Sequence, residues 1–209
     1  MKRIKLTKRL RIPRRDHEEY LYEQGFEVIC GLDEVGRGAW AGPLVASAVI
    51  LNKRLYGLRD SKLLTAKERE RLARKIRASS KVGIGEVSVR EVNNLKLTKA
   101  TQLAFSRAVK KLRRSPDYIL ADGFEFLSPI PCRAIKKGDM VCSSIAAASI
   151  CAKVYRDRLM RKLDRQIKGY FFSNHKGYGT LLHRARLKKL GPSPAHRKYY
   201  GPILRLTKS

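Results

Sequence analysis

Two adjacent carboxylates, Asp33 and Glu34, stand in the run Gly31-Leu32-Asp33-Glu34-Val35-Gly36-Arg37-Gly38, followed at once by an arginine held between two glycines. The apolar run before them, Phe26 to Cys30, has the composition of a buried strand, so the acids are expected where a core strand emerges at a surface. Asp122 ends a second such run, Tyr118-Ile119-Leu120-Ala121. Asp139 follows the extended segment 131–136 and precedes a long helical pattern, which makes a third acid position near a strand. Carboxylate oxygens are the hard ligands that Mg²⁺ prefers. Two like charges about 4 Å apart repel by roughly 4 kcal/mol at an effective dielectric near 20, so acids gathered from three positions call for divalent cations. Two such ions, roughly 3.5 to 4 Å apart, serve in-line displacement at phosphorus, and phosphodiester hydrolysis is the chemistry expected.

The residues beside the acids suit the same substrate. Gly36 and Gly38 lack a Cβ, so their backbone can lie against a group as small as a ribose hydroxyl. The 2′-OH, donor and acceptor at once, is what separates RNA from DNA at one position. Arg37 has the planar fork that grips phosphate. Neither a Ser-His-Asp arrangement nor a G-K-[ST] phosphate loop is present, so acyl transfer and nucleoside-triphosphate hydrolysis are without support.

The composition points the same way. In 209 residues, 47 Lys and Arg face 18 Asp and Glu, a formal charge of +29 that favours a polyanionic partner, nucleic acid first. No apolar run approaches the roughly 20 residues needed to span a bilayer, so no membrane role is expected. No signal-type apolar segment follows the basic start of the chain. Cysteines at 30, 132, 142 and 151 include no C-x-x-C pair; they read as buried thiols of a protein in a reducing cytoplasm.

The elements that must carry these residues can be placed in order. Residues 1–15 read as a flexible basic arm, and 14–24 as a short helix ended by Gly25. Leu44 to Leu51 is an apolar run close enough to the first strand to pair with it antiparallel. Thr65-Ala66-Lys67-Glu68 is a capping box opening a helix to about Ala78, and Ser88-Val89-Arg90-Glu91 opens another to about Arg113, with a strand over 81–89 between them. A helix is expected from about Val141 to Ile167, and its small face Ala146, Ala147, Ala148 and Ala152 suits close approach to a sheet. Alternation of strands and helices predicts an α/β sheet flanked by helices. The last forty residues are aromatic and basic, with a helix over 180–190, and read as a surface that tracks a nucleic-acid backbone. Within it Tyr178 is expected to touch substrate, Phe171 and Phe172 to seal the core. Asp157, set among basic residues, is expected to form a structural ion pair.

Seven segments in collinear order resemble ribonuclease HII of the bacterial kind, over about residues 26–204. They are G-L-D-E-V-G-R-G at 31–38, D-S-K at 60–62, the strand ending at Asp122-Gly123, K-G-D at 137–139, S-I-A-A-A-S-I-C-A-K-V-Y-R-D at 144–157, H-K-G-Y-G-T at 175–180 and G-P-S-P-A-H-R at 191–197. The resemblance implies a ribonuclease H-like α/β fold, a mixed central sheet flanked by helices, with a C-terminal helical extension. It divides the chain into the arm 1–15, a catalytic domain 16–168 and a substrate-binding extension 169–209. It implies that Asp33, Glu34, Asp122 and Asp139 are catalytic and hold two Mg²⁺ or Mn²⁺ ions. Gly36, Arg37 and Gly38 match the segment that senses the 2′-OH, and Tyr178 matches a tyrosine that packs on the following sugar. Lys62, Ser149 and Lys153 fall in motifs near phosphate. The implied activity is hydrolysis of RNA in RNA/DNA hybrids and cleavage 5′ to a ribonucleotide embedded in duplex DNA, leaving 3′-hydroxyl and 5′-phosphate ends, by a cytoplasmic monomer in ribonucleotide excision repair, with any replication or repair partner unidentified. The sister ribonuclease HIII family matches less well, since it typically carries lysine where Arg37 stands. Asn93 and Lys96 depart from the family pattern, which places in question the polar contacts of that segment.

Overall fold

The strand that carries the first two acids, β1 (Ile29–Val35), starts later than its apolar run suggests and continues through Asp33 and Glu34 themselves. Its pairing explains the shift. β2 (Leu44–Leu51) runs antiparallel to it with Gly31 opposite Val49 and Val35 opposite Val45, so cross-strand hydrogen bonding carries the polar end of β1 into the sheet. The structure, a computed structural model, describes residues 12–58, 61 and 64–206. Residues 1–11 of the expected arm, and Asp60 and Lys62, lie outside the described residues.

The remaining elements follow in the expected alternation. α1 (Asp16–Glu23) precedes β1; α2 (Ala66–Ser79), β3 (Ser80–Val87) and α3 (Val89–Lys110) follow β2; β4 (Tyr118–Asp122) and β5 (Cys132–Ile135) complete one sheet. Its order is β3-β2-β1-β4-β5, with β3, β2 and β1 antiparallel and β1, β4 and β5 parallel. Both capping boxes form as the sequence predicts, Thr65 with Glu68 and Ser88 with Glu91. α3 is broken at Lys96, whose backbone is left-handed at φ 61°. The departing segment keeps polar contacts: the Asn93 side chain accepts from Lys198 N at 2.9 Å, and Lys96 lies over the Tyr199 ring.

Two layers of helix cover the sheet. α3 places Ala100, Ala104, Phe105 and Ala108 on the face carrying Cys30, Leu32, Ala46 and Ala48. The other face receives α2 and the long α5 (Ser143–Gln166), whose Ala146 to Ala148 pack with Val49 and Leu51. α5 lies so close to β1 that a Cβ on Gly31 would collide with the Ser144 backbone, so glycine there permits the contact. The helix expected from about Val141 to Ile167 is α5, which begins at Ser143 after an extended Cys142; the short turn α4 (Gly138–Val141) precedes it. Cys142 gives α5 no side-chain cap; instead the buried Glu18 carboxylate of α1 accepts from Ser144 N at 2.7 Å. The end of the basic arm is fastened at the same place, because Arg14 N donates to Val141 O and Arg14 O accepts from Ser143 N.

After α5 the chain forms α6 (Phe172–His175), α7 (Leu181–Leu190) and α8 (Gly201–Leu206) around a separate cluster of Ala41, Met160, Tyr170, Phe172 and Leu187. Phe172 is buried there as expected, whereas Phe171 is exposed, in the left-handed region at φ 60°, with the Arg186 guanidinium over its ring. Among the described residues no helix is long and apolar enough to cross a membrane.

Candidate active site

Side chains alternate along a strand, so Asp33 and Glu34 leave β1 on opposite faces, Asp33 toward α5 and Glu34 toward α3. Both remain at the rim because β1 ends one residue later. The parallel register, Leu32 opposite Ala121, brings Asp122 to the same end of the sheet. Asp139 arrives differently from the expectation of a strand-end acid: it sits in the first turn of α4, whose preceding residue Lys137 is left-handed at φ 57°. Gly138 N donates to Asp122 Oδ1 at 2.7 Å and so ties that turn to β4.

All four acids line one cleft of about 490 Å³, together with Gly36, Arg37, Gly38, Ser149, Lys153 and Tyr178. Every candidate the sequence singled out is therefore on this cleft except Lys62, which falls outside the described residues. Ser61 is an addition that its D-S-K segment signals: its hydroxyl is 3.0 Å from the Ser149 hydroxyl.

The cleft strains its acids electrostatically. Asp33, 6% exposed, has its carboxyl pushed well above the ordinary range by burial, then by Glu34 and Asp122, against a hydrogen bond from Ser149. Burial likewise raises Glu34 to about 7, with Arg37 opposing and Asp122 adding to the rise. One oxygen of Glu34, Oε2, is buried and has no hydrogen-bond partner. Among the described residues no three His, Cys, Asp or Glu side chains converge as a ready-made metal cage.

Arg37 is held on two sides. Its Nη1 lies 3.6 Å from Glu34 Oε1, and its guanidinium stacks on Phe124 at 4.6 Å from the ring centroid. Lys153 Nζ is 2.8 Å from Asp157 Oδ1, which gives Asp157 the ion pair expected of it. Beneath the loop after β1 lies Arg156, fully buried, donating to the carbonyls of Pro43, Ala41 and Lys176. Gly36 has φ 94° and rests directly on that guanidinium, so a side chain fits there neither by conformation nor by space. The same guanidinium faces the Tyr178 ring, 5.5 Å from its centroid.

The aromatic and basic C-terminal segment corrects an expectation. His175, His183, His196 and Arg197 are buried rather than presented to a nucleic-acid backbone. His175 and His183 stack at 4.2 Å, and His183 Nε2 lies 3.0 Å from His196 Nε2. Burial lowers the pKa of His183 and His196 to about 4. Their partners are distant in sequence or lie in loops, and no local pattern announces them.

The sequence model of ribonuclease HII matches residues 30–201. The chain belongs to the ribonuclease HII family. Ribonuclease HII of Chlamydia caviae is 47% identical over 190 residues, 89% of this chain and 90% of the relative. A ribonuclease HII of Thermus thermophilus is 47% identical over 177 residues, 84% of this chain and 87% of the relative. Among solved structures, the ribonuclease H2 of Pyrococcus horikoshii superposes with a TM-score of 0.72 at 24% identity, covering 87% of this chain and 98% of the other. The Bst ribonuclease HIII, solved in complex with Mn²⁺, gives 0.67 at 19% identity over 87% and 69%. These two likenesses establish the ribonuclease H-like fold. Membership of the ribonuclease HII family makes the chain a metal-dependent ribonuclease H, an endonuclease acting on RNA paired with DNA.

Proposed function

We propose that this ribonuclease HII hydrolyses the phosphodiester bond 5′ to a ribonucleotide, including a single one embedded in duplex DNA, with two divalent ions, Mg²⁺ or Mn²⁺, held by Asp33, Glu34, Asp122 and Asp139. The observation that carries the reading is the shared cleft, in which four carboxylates and the glycine-flanked Arg37 border one space. The residues suit such ions. Their donors are all oxygen, one Glu34 oxygen is buried without a partner, and burial and neighbouring carboxylates push Asp33 and Glu34 toward the protonated form. Bound there, such ions neutralise the acids, activate water and draw charge from the leaving oxygen.

The chain's own groups do the selecting. Gly36 and Gly38 offer backbone atoms to the 2′-OH with no side chain in the way. Arg37, held against Phe124 and Glu34, offers its planar fork to the neighbouring phosphate. Tyr178 closes the other wall and packs on the sugar that follows, while Ser149 and Lys153 line the phosphate path. Residues 169–209 serve this end of the cleft as a substrate-binding extension.

A duplex with one ribonucleotide, incubated with Mg²⁺ or Mn²⁺, tests the reading. The wild type is expected to cut once, 5′ to the ribonucleotide, giving a 3′-hydroxyl and a 5′-phosphate, and Asp122→Asn to bind without cutting. A wild type that binds this duplex and leaves it intact would sink the proposal. If Arg37→Ala cuts as selectively as wild type, the account of recognition fails while that of the acids stands.

A further inference from the structure

We propose that the neighbouring residues His196 and Arg197 are positioning residues that hold the two walls of the ribose reader, the Gly36–Gly38 loop and Tyr178, at a fixed separation. The proposal rests on the reading of those walls given above.

Arg197 is fully buried, and among the described residues no carboxylate pairs with it. Its guanidinium donates instead to carbonyls of the loop after β1: Nη1 to Arg37 O at 3.0 Å, and Nε and Nη2 to Gly42 O at 3.1 and 3.0 Å. The Tyr200 hydroxyl accepts from the same Nη1 at 3.1 Å and itself donates to Arg37 O. A buried cation is costly to desolvate, so joining two loops is not by itself a reason to place one here. What an arginine adds is direction, because its donors form a rigid planar fork. Here the fork spans the two ends of the turn, Arg37 and Gly42.

The backbone already makes this junction without it. Ala41 and His196 form an antiparallel bridge, Arg197 N donates to Trp40 O at 2.8 Å, and Gly42 N donates to Ala195 O at 2.9 Å. The side-chain bonds are additional, and they end on the reader itself.

His196 extends the device to the other wall. The Tyr178 carbonyl only accepts, so His183 Nδ1, 3.0 Å away, carries the proton and His183 Nε2 is an acceptor. His196 Nε2, 3.0 Å from it, is then the donor, which leaves His196 Nδ1 to accept from Ser193 N at 2.9 Å. Each ring nitrogen of the pair has one role, and burial keeps both rings neutral at ordinary pH. One dipeptide thus ends, through side chains, on the carbonyls of Arg37 and Tyr178. A displacement of about 1 Å in such a site costs on the order of 10²-fold in rate.

The test compares wild type, Tyr200→Phe and Arg197→Met on a duplex with one ribonucleotide, on the all-DNA duplex and on a long RNA/DNA hybrid, with melting temperatures alongside. Expected for both variants is a fall in kcat of about 10- to 100-fold on the single-ribonucleotide duplex. KM should stay within about twofold, as befits misplacement rather than lost binding, and the loss on the long hybrid should be smaller. Tyr200→Phe deletes one hydroxyl and keeps the ring, so it decides the matter even if Arg197→Met fails to fold. Unchanged kcat and discrimination in Tyr200→Phe overturn the assignment, as does an equal loss on every cleavable substrate that tracks melting temperature. A wild type that does not prefer the ribonucleotide overturns the reading of the loop and this assignment together; a selective wild type with equally selective variants overturns the assignment alone.

Discussion

The acid cleft and the histidine–arginine network behind it lie on either side of one loop, and each buries groups that water would ordinarily ionise. In the cleft the ionised form is disfavoured: Asp33 and Glu34 are both raised, and Glu34 Oε2 has no partner. In the network each of these groups meets a partner: Arg156 ends on three carbonyls, Arg197 on two, and the His183–His196 pair, joined Nε2 to Nε2, ends on Tyr178 O and Ser193 N. Unsatisfied polar groups cost stability and persist where function requires them; satisfied ones rigidify. The difference teaches that the first region is electrostatically strained, as the ion site proposed above requires, while the second holds a shape.

Removing charge should therefore have opposite effects in the two regions. The largest effect is expected from Asp33→Asn, a rate loss on the order of 10³-fold with a melting temperature that rises in metal-free buffer. A melting temperature that falls would mean the cleft is not strained. Arg156→Met should do the reverse to stability, lowering it by about 3 kcal/mol in denaturant unfolding because three buried carbonyls lose their donor. A neutral result there would erase the contrast.

The subtlest effect is on pH. Glu34, raised to about 7, contributes stability that is full below its unfolded value of 4.5 and is lost as pH rises through about 7. His183 and His196, lowered to about 4, contribute stability that is full above their unfolded value of 6.5 and is lost as pH falls through about 4. Between pH 4.5 and 6.5 the two raised carboxyls, Glu34 and Asp33, oppose the two histidines, so unfolding of the metal-free wild type should depend weakly on pH there. In Glu34→Gln one of the two carboxyl contributions disappears, the histidines outweigh the other, and stability should fall with acid from about pH 6.5 toward 4. A profile for Glu34→Gln that overlays wild type would remove the cleft from the balance.

What could be read in the sequence was what local signals encode. β2 and β4 are short runs of Val, Ile, Leu and Ala, and the two capping boxes state their helices in four residues each. The acids stood out because carboxylates are anomalous in so basic a chain. The start of β1 was misplaced because pairing with β2, not β-propensity, decides which residues join the sheet. Asp139 was expected beside a strand because nothing in Gly138-Asp139-Met140-Val141 marks one turn of helix, and the new start after Cys142 is stabilised by the bond from Ser144 N to Glu18, 126 residues away. The buried arginines and histidines escaped notice for a related reason: composition assigns such residues to the surface, and only their hydrogen-bond partners, distant carbonyls for the arginines and nearby loop groups for the histidines, permit them inside.

The bond from Arg197 to the Arg37 carbonyl spans 160 positions. In order of synthesis the four acids are all in place by residue 139, whereas the side chains that fasten the loop beside them come only near residue 200. The acids thus leave the ribosome well before the residues that brace the wall proposed to read the sugar, and the two parts of the site have different birthdays there.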